Sequence, residues 1–143
     1  MATDRTANVT WNGSLMEGAG TIERVGSGAF GPLDVSWAAR AEQPDGKTSP
    51  EELIAAAHAA CYSMALSHAL AQAGNAPERL ETSATVTFQP GEGITKIALT
   101  VVGTVPGVDA GAFAEAAEGA RTGCPVSKAL TGVPEITLDA RLA

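Results

Sequence analysis

Aromatic side chains are scarce in this sequence: two Trp, one Tyr and three Phe among 143 residues. The core must be assembled mostly from Ala, Val, Leu and Ile. That favours close packing of elements but limits the volume one chain can bury, a hint that burial continues across a subunit interface. Positive charge is scarce too. Nine Lys and Arg against sixteen acidic residues leave a net charge of -7. No basic cluster exists to neutralise phosphates, which argues against nucleic-acid binding. Nor is there a polybasic stretch suited to a membrane surface. Residues 1–12 are polar and contain no hydrophobic signal segment, so a cytoplasmic location is expected. Cysteine occurs only twice. In a reducing compartment, two cysteines are not expected to staple a fold; they are reactive, metal-binding or inert.

What is present is a globular composition, 45% apolar and 17% charged, at the length of one ordinary domain, taken here as residues 1–143. Residues 1–48 read as β-rich. Strands are expected around residues 8–11, 18–25 and 33–41, separated by Asn12-Gly13, the glycines at 26 and 28, and Gly31-Pro32. A helix start follows. Ser49 can act as N-cap, Pro50 suits the first helical position, and Glu52 can close a capping box. The helix should run to about residue 72, with Gly74 and Pro77 ending it. No charged residue occurs between Leu53 and Pro77. A helix apolar nearly all round is expected to be central and buried. Its length also matches a membrane span of roughly 20 residues, but it is rich in Ala and carries His58, Ser63, Ser67, His68 and Gln72, so no membrane insertion is expected. Strands at 82–89 and 95–105, a helix at 108–121, a short helix from Pro125 to about residue 130 and a strand at 135–142 complete the chain. Strands, a buried helix, then strands and helices again indicate an α+β fold.

The two cysteines sit in different settings. Cys124 stands at a helix start, where free N–H groups and the dipole favour a thiolate. Cys61 lies about three turns into its helix and gains no such help. Both could be plain buried hydrophobes. If Cys61 is a nucleophile, a cation must stabilise it, and Arg40 stands out because it closes the apolar stretch Val35-Ser36-Trp37-Ala38-Ala39. A buried Arg needs a carboxylate, and Glu51 and Glu52 are the nearest in sequence. His58, three residues before Cys61, shares its helix face; it is either a base or a histidine satisfied by a hydrogen bond at an interface. His68 is read as structural.

The stretch Ser49-Pro50-Glu51-Glu52-Leu53-Ile54-Ala55-Ala56-Ala57-His58-Ala59-Ala60-Cys61 resembles the central-helix signature of the OsmC/Ohr family, the osmotically inducible protein C and organic hydroperoxide resistance proteins. Gly123-Cys124-Pro125-Val126-Ser127 resembles that family's second-cysteine motif. His58 and Val105-Pro106-Gly107-Val108-Asp109 point to the OsmC branch. The resemblance extends over nearly the whole chain. It implies two antiparallel-type β-sheet regions around a long buried helix, in an intertwined homodimer. It implies a peroxidase for organic hydroperoxides, serving defence against oxidative or osmotic stress. Cys61 would attack the peroxide and Cys124 would resolve it to a disulfide. Arg40 would stabilise the thiolate, Glu51 would hold Arg40, and an external dithiol of lipoyl type would restore the thiols. No cofactor and no metal are implied.

On a straight helix Glu51 and Cys61 are about 15 Å apart, so one Arg40 touching both within one chain would be strained. Either the helix breaks early or Arg40 and Glu51 come from a second subunit; the second is expected. Phe30, Trp37, Tyr62 and Met64 are candidate walls for an apolar substrate pocket. Three rival readings remain at this point: a metal site on His58, Cys61 and Cys124, a Cys–His hydrolase, and a non-enzymatic stress-induced ligand-binding or peroxide-sensing module.

Overall fold

A computed structural model describes residues 1–143. It divides into two compact units, Met1–Pro50 and Glu51–Ala143. The first holds a three-stranded antiparallel sheet, β1 (Val9–Asn12), β2 (Ala19–Ile22) and β3 (Leu33–Val35), in that order. Its core is thin, with Ile22 and Ala39 its buried apolar residues, as the shortage of aromatics suggests. Gly20 lies opposite Trp11; a Cβ there would meet the indole at 2.6 Å, so the ring can lie across the strand only because no side chain is present.

The expected strand at 33–41 is corrected. The extended segment stops at Val35, and a short helix α1 (Trp37–Ala41) takes its place. The reason is local: the Ser36 hydroxyl caps the helix by accepting from the Ala39 amide at 3.1 Å, and three Ala among its five residues favour the helical state. Arg40 therefore sits in the last turn of a helix, not at the end of a strand.

The second unit is built on the long helix α2 (Pro50–Gln72), followed by β4 (Arg79–Gln89), β5 (Gly93–Thr104), α3 (Ala110–Gly123), α4 (Pro125–Ala129) and β6 (Glu135–Leu142). Pro50 opens α2, and Glu51 and Glu52 occupy its first turn, where carboxylates favour the dipole. Gly74, at φ 88, ends it. The sheet order is β4-β5-β6. Strands β4 and β5 are antiparallel, as the antiparallel-type regions led one to expect, while β6 adds one parallel pairing to β5. The chain between β5 and β6 is spent on two helices, as a parallel crossover demands. Register lines up the buried face: Ile97, Leu99 and Val101 stand beside Val86, Ala84 and Thr82 of β4 and Ile136, Leu138 and Ala140 of β6. Tyr62, Leu66 and Leu70 of α2 and Phe113, Ala117 and Ala120 of α3 complete this core.

Helix α2 is long and apolar enough to cross a membrane by length and composition alone. It is not buried all round, as the sequence suggested. His58, Tyr62, Leu66 and Leu70 form one buried stripe at four-residue spacing, while Ala56, Ala57, Ala60 and Met64 are exposed. Met64 retains 73% of its surface. The other elements of the second unit cover one face of α2 and leave an apolar face open. The α+β class holds, with two small sheets and one long helix.

Candidate active site

Two elements position the cysteines. Cys61 follows His58 by three residues and precedes Tyr62, placing it at the edge of the buried stripe of α2, where it is half-buried. Cys124 is the C-cap of α3 and the N-cap of α4 at once. Its amide donates to the Ala120 carbonyl at 3.0 Å, and its carbonyl accepts from Lys128 at 3.0 Å. Pro125 cannot extend α3 but suits the first position of α4, so the chain turns at Cys124. That turn sends the Cys124 side chain inward, and it is completely buried.

The two sulfurs, 63 residues apart in sequence, lie 3.0 Å apart. Both cysteines are free. At this distance a thiol on either sulfur can donate to a thiolate on the other, so the pair shares a proton and titrates as a unit. Burial pushes the Cys61 thiol up, and the adjacent Cys124 sulfur pushes it further, against a weaker pull from the Val126 amide. Burial acts the same way on Cys124, yet is outweighed there. The hydrogen bond from Cys61, the amides of Ser127 and Val126, and the Ser127 hydroxyl hold Cys124 below the ordinary thiol range. No regular side-chain cap forms at this sulfur; the amides act through their charge rather than through ideal capping geometry. Within the second unit, the surroundings thus favour negative charge on Cys124, the sulfur that solvent cannot reach, over Cys61.

His58 is also completely buried, with its Nε2 2.7 Å from Ser127 Oγ. Burial pulls its pKa down and so favours the neutral ring. No three His, Cys, Asp or Glu side chains converge as metal ligands, and His58 turns a ring nitrogen to Ser127 rather than joining the sulfurs as the metal reading required. Arg121, next but two before Cys124, is engaged with Glu118 and with the Ile136 carbonyl at 3.2 Å. It is therefore not a cation for the sulfurs.

Of the remaining sequence candidates, those in the second unit fall elsewhere. Helix α2 is continuous, so an early break is excluded, and buried Glu51 stays ten residues and about 15 Å of helix from Cys61. Arg40 belongs to the first unit. Tyr62 is no pocket wall: it is core, its hydroxyl donating to the Ala117 carbonyl at 3.0 Å. Met64 lines an open groove of about 650 Å³ with Ser67, His68 and Pro77, and that groove contains neither sulfur. The residue that sequence reasoning passed over is Ser127. Its signal was its place at the third position of a helix whose N-cap is Cys124, from which a side chain reaches back toward the cap.

A family model described as OsmC-like protein matches residues 43–139, which include α2 and both cysteines. The peroxiredoxin OsmC of Escherichia coli (strain K12) is 42% identical over 145 residues, covering 99% of each chain. Among solved structures, the organic hydroperoxide resistance protein OhrB of Bacillus subtilis is similar with a TM-score of 0.64 and 26% identity, covering 96% of this chain and 98% of that one. The OsmC protein of Legionella pneumophila shares the fold with a TM-score of 0.68 at 22% identity, over 96% of both chains. With its paired sulfurs carried on the matched helix and the matched second-cysteine segment, this chain belongs to the family of OsmC-like proteins.

Proposed function

We propose that this chain is a thiol peroxidase that reduces organic hydroperoxides to alcohols, with Cys61 as the attacking sulfur and Cys124 as the resolving one. The observation that carries this reading is the 3.0 Å separation of two free sulfurs from distant parts of the chain. It is about 1 Å longer than a disulfide bond, so small movements close it. Exposure supports this division of roles: Cys124 is inaccessible and Cys61 is half-exposed, so a substrate would meet Cys61. The names of the relatives, a peroxiredoxin and a hydroperoxide resistance protein, agree with this substrate class.

The chemistry balances with the proton that the pair shares. With that proton on Cys124, the Cys61 thiolate attacks the outer peroxide oxygen and the O–O bond breaks. The departing alkoxide leaves as alcohol with a proton relayed from Cys124 through the oxygen now on Cys61. Cys61 is now a sulfenic acid and Cys124 a thiolate. Cys124 then attacks the Cys61 sulfur, the S–O bond breaks, and hydroxide leaves. Two electrons have passed from the sulfurs to the peroxide. An external dithiol, of lipoyl type or similar, restores the pair by exchange. One test is a count of free thiols in reduced protein before and after one equivalent of cumene-type hydroperoxide. Two thiols should disappear per chain; loss of none, or of one only, argues against a redox pair.

Charge must move from Cys124 to Cys61 for the first step, and a cation beside Cys61 would move it. Arg40, held by Glu51, is the proposed source, supplied from a second subunit in a homodimer. The open apolar face of α2, Ala56, Ala57, Ala60 and Met64, supports such a partner. Arg40→Met is expected to slow the peroxide step by at least about tenfold, the scale of one charge-assisted hydrogen bond. Arg40→Lys should restore part of it. Stopped-flow consumption of hydroperoxide under single turnover measures this, and an unchanged rate in Arg40→Met rejects the assignment.

A further inference from the structure

His58 and Ser127 meet inside the second unit, and neither has a part in the chemistry above. His58 Nε2 lies 2.7 Å from Ser127 Oγ, while His58 Nδ1 is buried with no hydrogen-bond partner. Together these fix the ring's proton. Hydrogen on Nδ1 would be a buried donor with nothing to donate to, which interiors tolerate less often than an unmatched acceptor. A doubly protonated ring would put charge in an apolar site, and burial opposes it. The neutral ring with hydrogen on Nε2 remains. It donates to Ser127 Oγ, which leaves the single hydroxyl hydrogen of Ser127 free to turn away from His58. That hydroxyl belongs to the third residue of α4, whose N-cap is Cys124, and both residues are buried, so it can turn toward the Cys124 sulfur and favour its negative charge.

We propose that His58 and Ser127 form a one-way donor chain, Nε2–H to Oγ and Oγ–H to the Cys124 sulfur, that holds Cys124 as the resolving thiolate. Both are positioning residues, since neither touches the peroxide or the Cys61 sulfur. The inference rests on the peroxidase reading only for the step it serves. In that step the Cys124 lone pair forms the S–S bond as the Cys61 S–O bond breaks. The leaving hydroxide takes a proton from solvent, and the donor chain loses none. The chain favours this step on balance. Each pH unit by which a thiol's midpoint falls toward ambient pH raises the thiolate population about tenfold, while intrinsic nucleophilicity falls only about threefold. The other ionisable groups facing Cys124 come from α2: Cys61, and Tyr62, which burial keeps neutral. From α3, Glu118 and Arg121 act on Tyr62 as a closed pair. Lys128 of α4 is exposed.

Two measurements test the chain. In Cys61→Ser protein, the ultraviolet absorbance of the Cys124 thiolate is followed against pH. Adding Ser127→Ala or His58→Phe should raise the midpoint by about one pH unit, the scale of a charge-assisted hydrogen bond. Ser127→Thr, which keeps the hydroxyl, should leave the midpoint near that of the parent. With both cysteines present, the same Ser127→Ala change should lengthen the life of the Cys61 sulfenic acid about threefold or more, read by trapping with dimedone after one equivalent of cumene-type hydroperoxide. A midpoint unmoved by Ser127→Ala, or moved equally by Ser127→Thr, overturns the proposal. Nitrogen NMR shifts of His58 in unmutated protein give an answer even if a variant fails to fold: hydrogen on Nε2 supports the chain, and hydrogen on Nδ1 overturns it. Should the wild type leave hydroperoxide untouched while the midpoint moves as expected, the peroxidase reading fails and the donor chain stands.

Discussion

Cys61→Ser is expected to reduce hydroperoxide consumption to that of a protein-free control in an assay supplied with excess dithiol. A serine hydroxyl ionises far above any working pH and cannot take up the peroxide oxygen as sulfur does. No other thiol is accessible, because Cys124 is completely buried. Cys124→Ser should behave differently. Its Cys61 can still react once, so about one alcohol forms per chain before turnover slows to whatever rate the dithiol reduces a sulfenic acid directly. A burst of product separates the two variants in one experiment. Equal steady activity in Cys61→Ser and the wild type would remove the sulfur chemistry altogether.

Phe113→Ala is expected to cost about 3–5 kcal/mol, a large share of the 5–15 kcal/mol by which ordinary domains are stable. The ring is completely buried near the start of α3, and a Cβ at Gly103 would lie 2.7 Å from its edge. The glycine thus leaves the space that the ring fills, and the ring holds α3 against β5. Few other aromatics exist to take over the volume. Filling the space from the other side, Gly103→Ala should also destabilise, by about 1–3 kcal/mol. The effects of changing both should not add, because the two sites touch. Urea unfolding at fixed protein concentration measures all three, and a cost below about 1 kcal/mol for Phe113→Ala would mean that the ring is not a packed part of the core.

The parts of the fold written in the sequence were those governed by neighbours along the chain. Pro50 and the acidic first turn mark the start of α2, and Gly74 its end. Pro125 after Cys124 marks the start of α4. Alternation along residues 82–88 gives the half-buried face of β4. The segment after Val35 misled because alternating apolar residues there resemble a strand, while the Ser36 cap and the alanines decide for a helix. The burial of α2 was overstated for a different reason. Apolar composition shows what a helix can bury, not how much neighbouring surface this chain has to cover it. In the site, the cysteines were identifiable from their motifs, but their separation was not, since it depends on where α2 and the α3–α4 junction dock on one sheet. Ser127 left only the local signal of its place in α4, because its partner His58 lies 69 positions away.

The complete burial of Cys124 also dictates how an oxidised pair would be reopened. An incoming dithiol can collide only with the sulfur of Cys61, so the mixed disulfide must form there. Cys124 then departs, and it is the sulfur whose departing charge the adjacent amides and the Ser127 hydroxyl already accommodate. The same face of the protein would receive oxidant and reductant in turn, and neither would ever touch the inner sulfur.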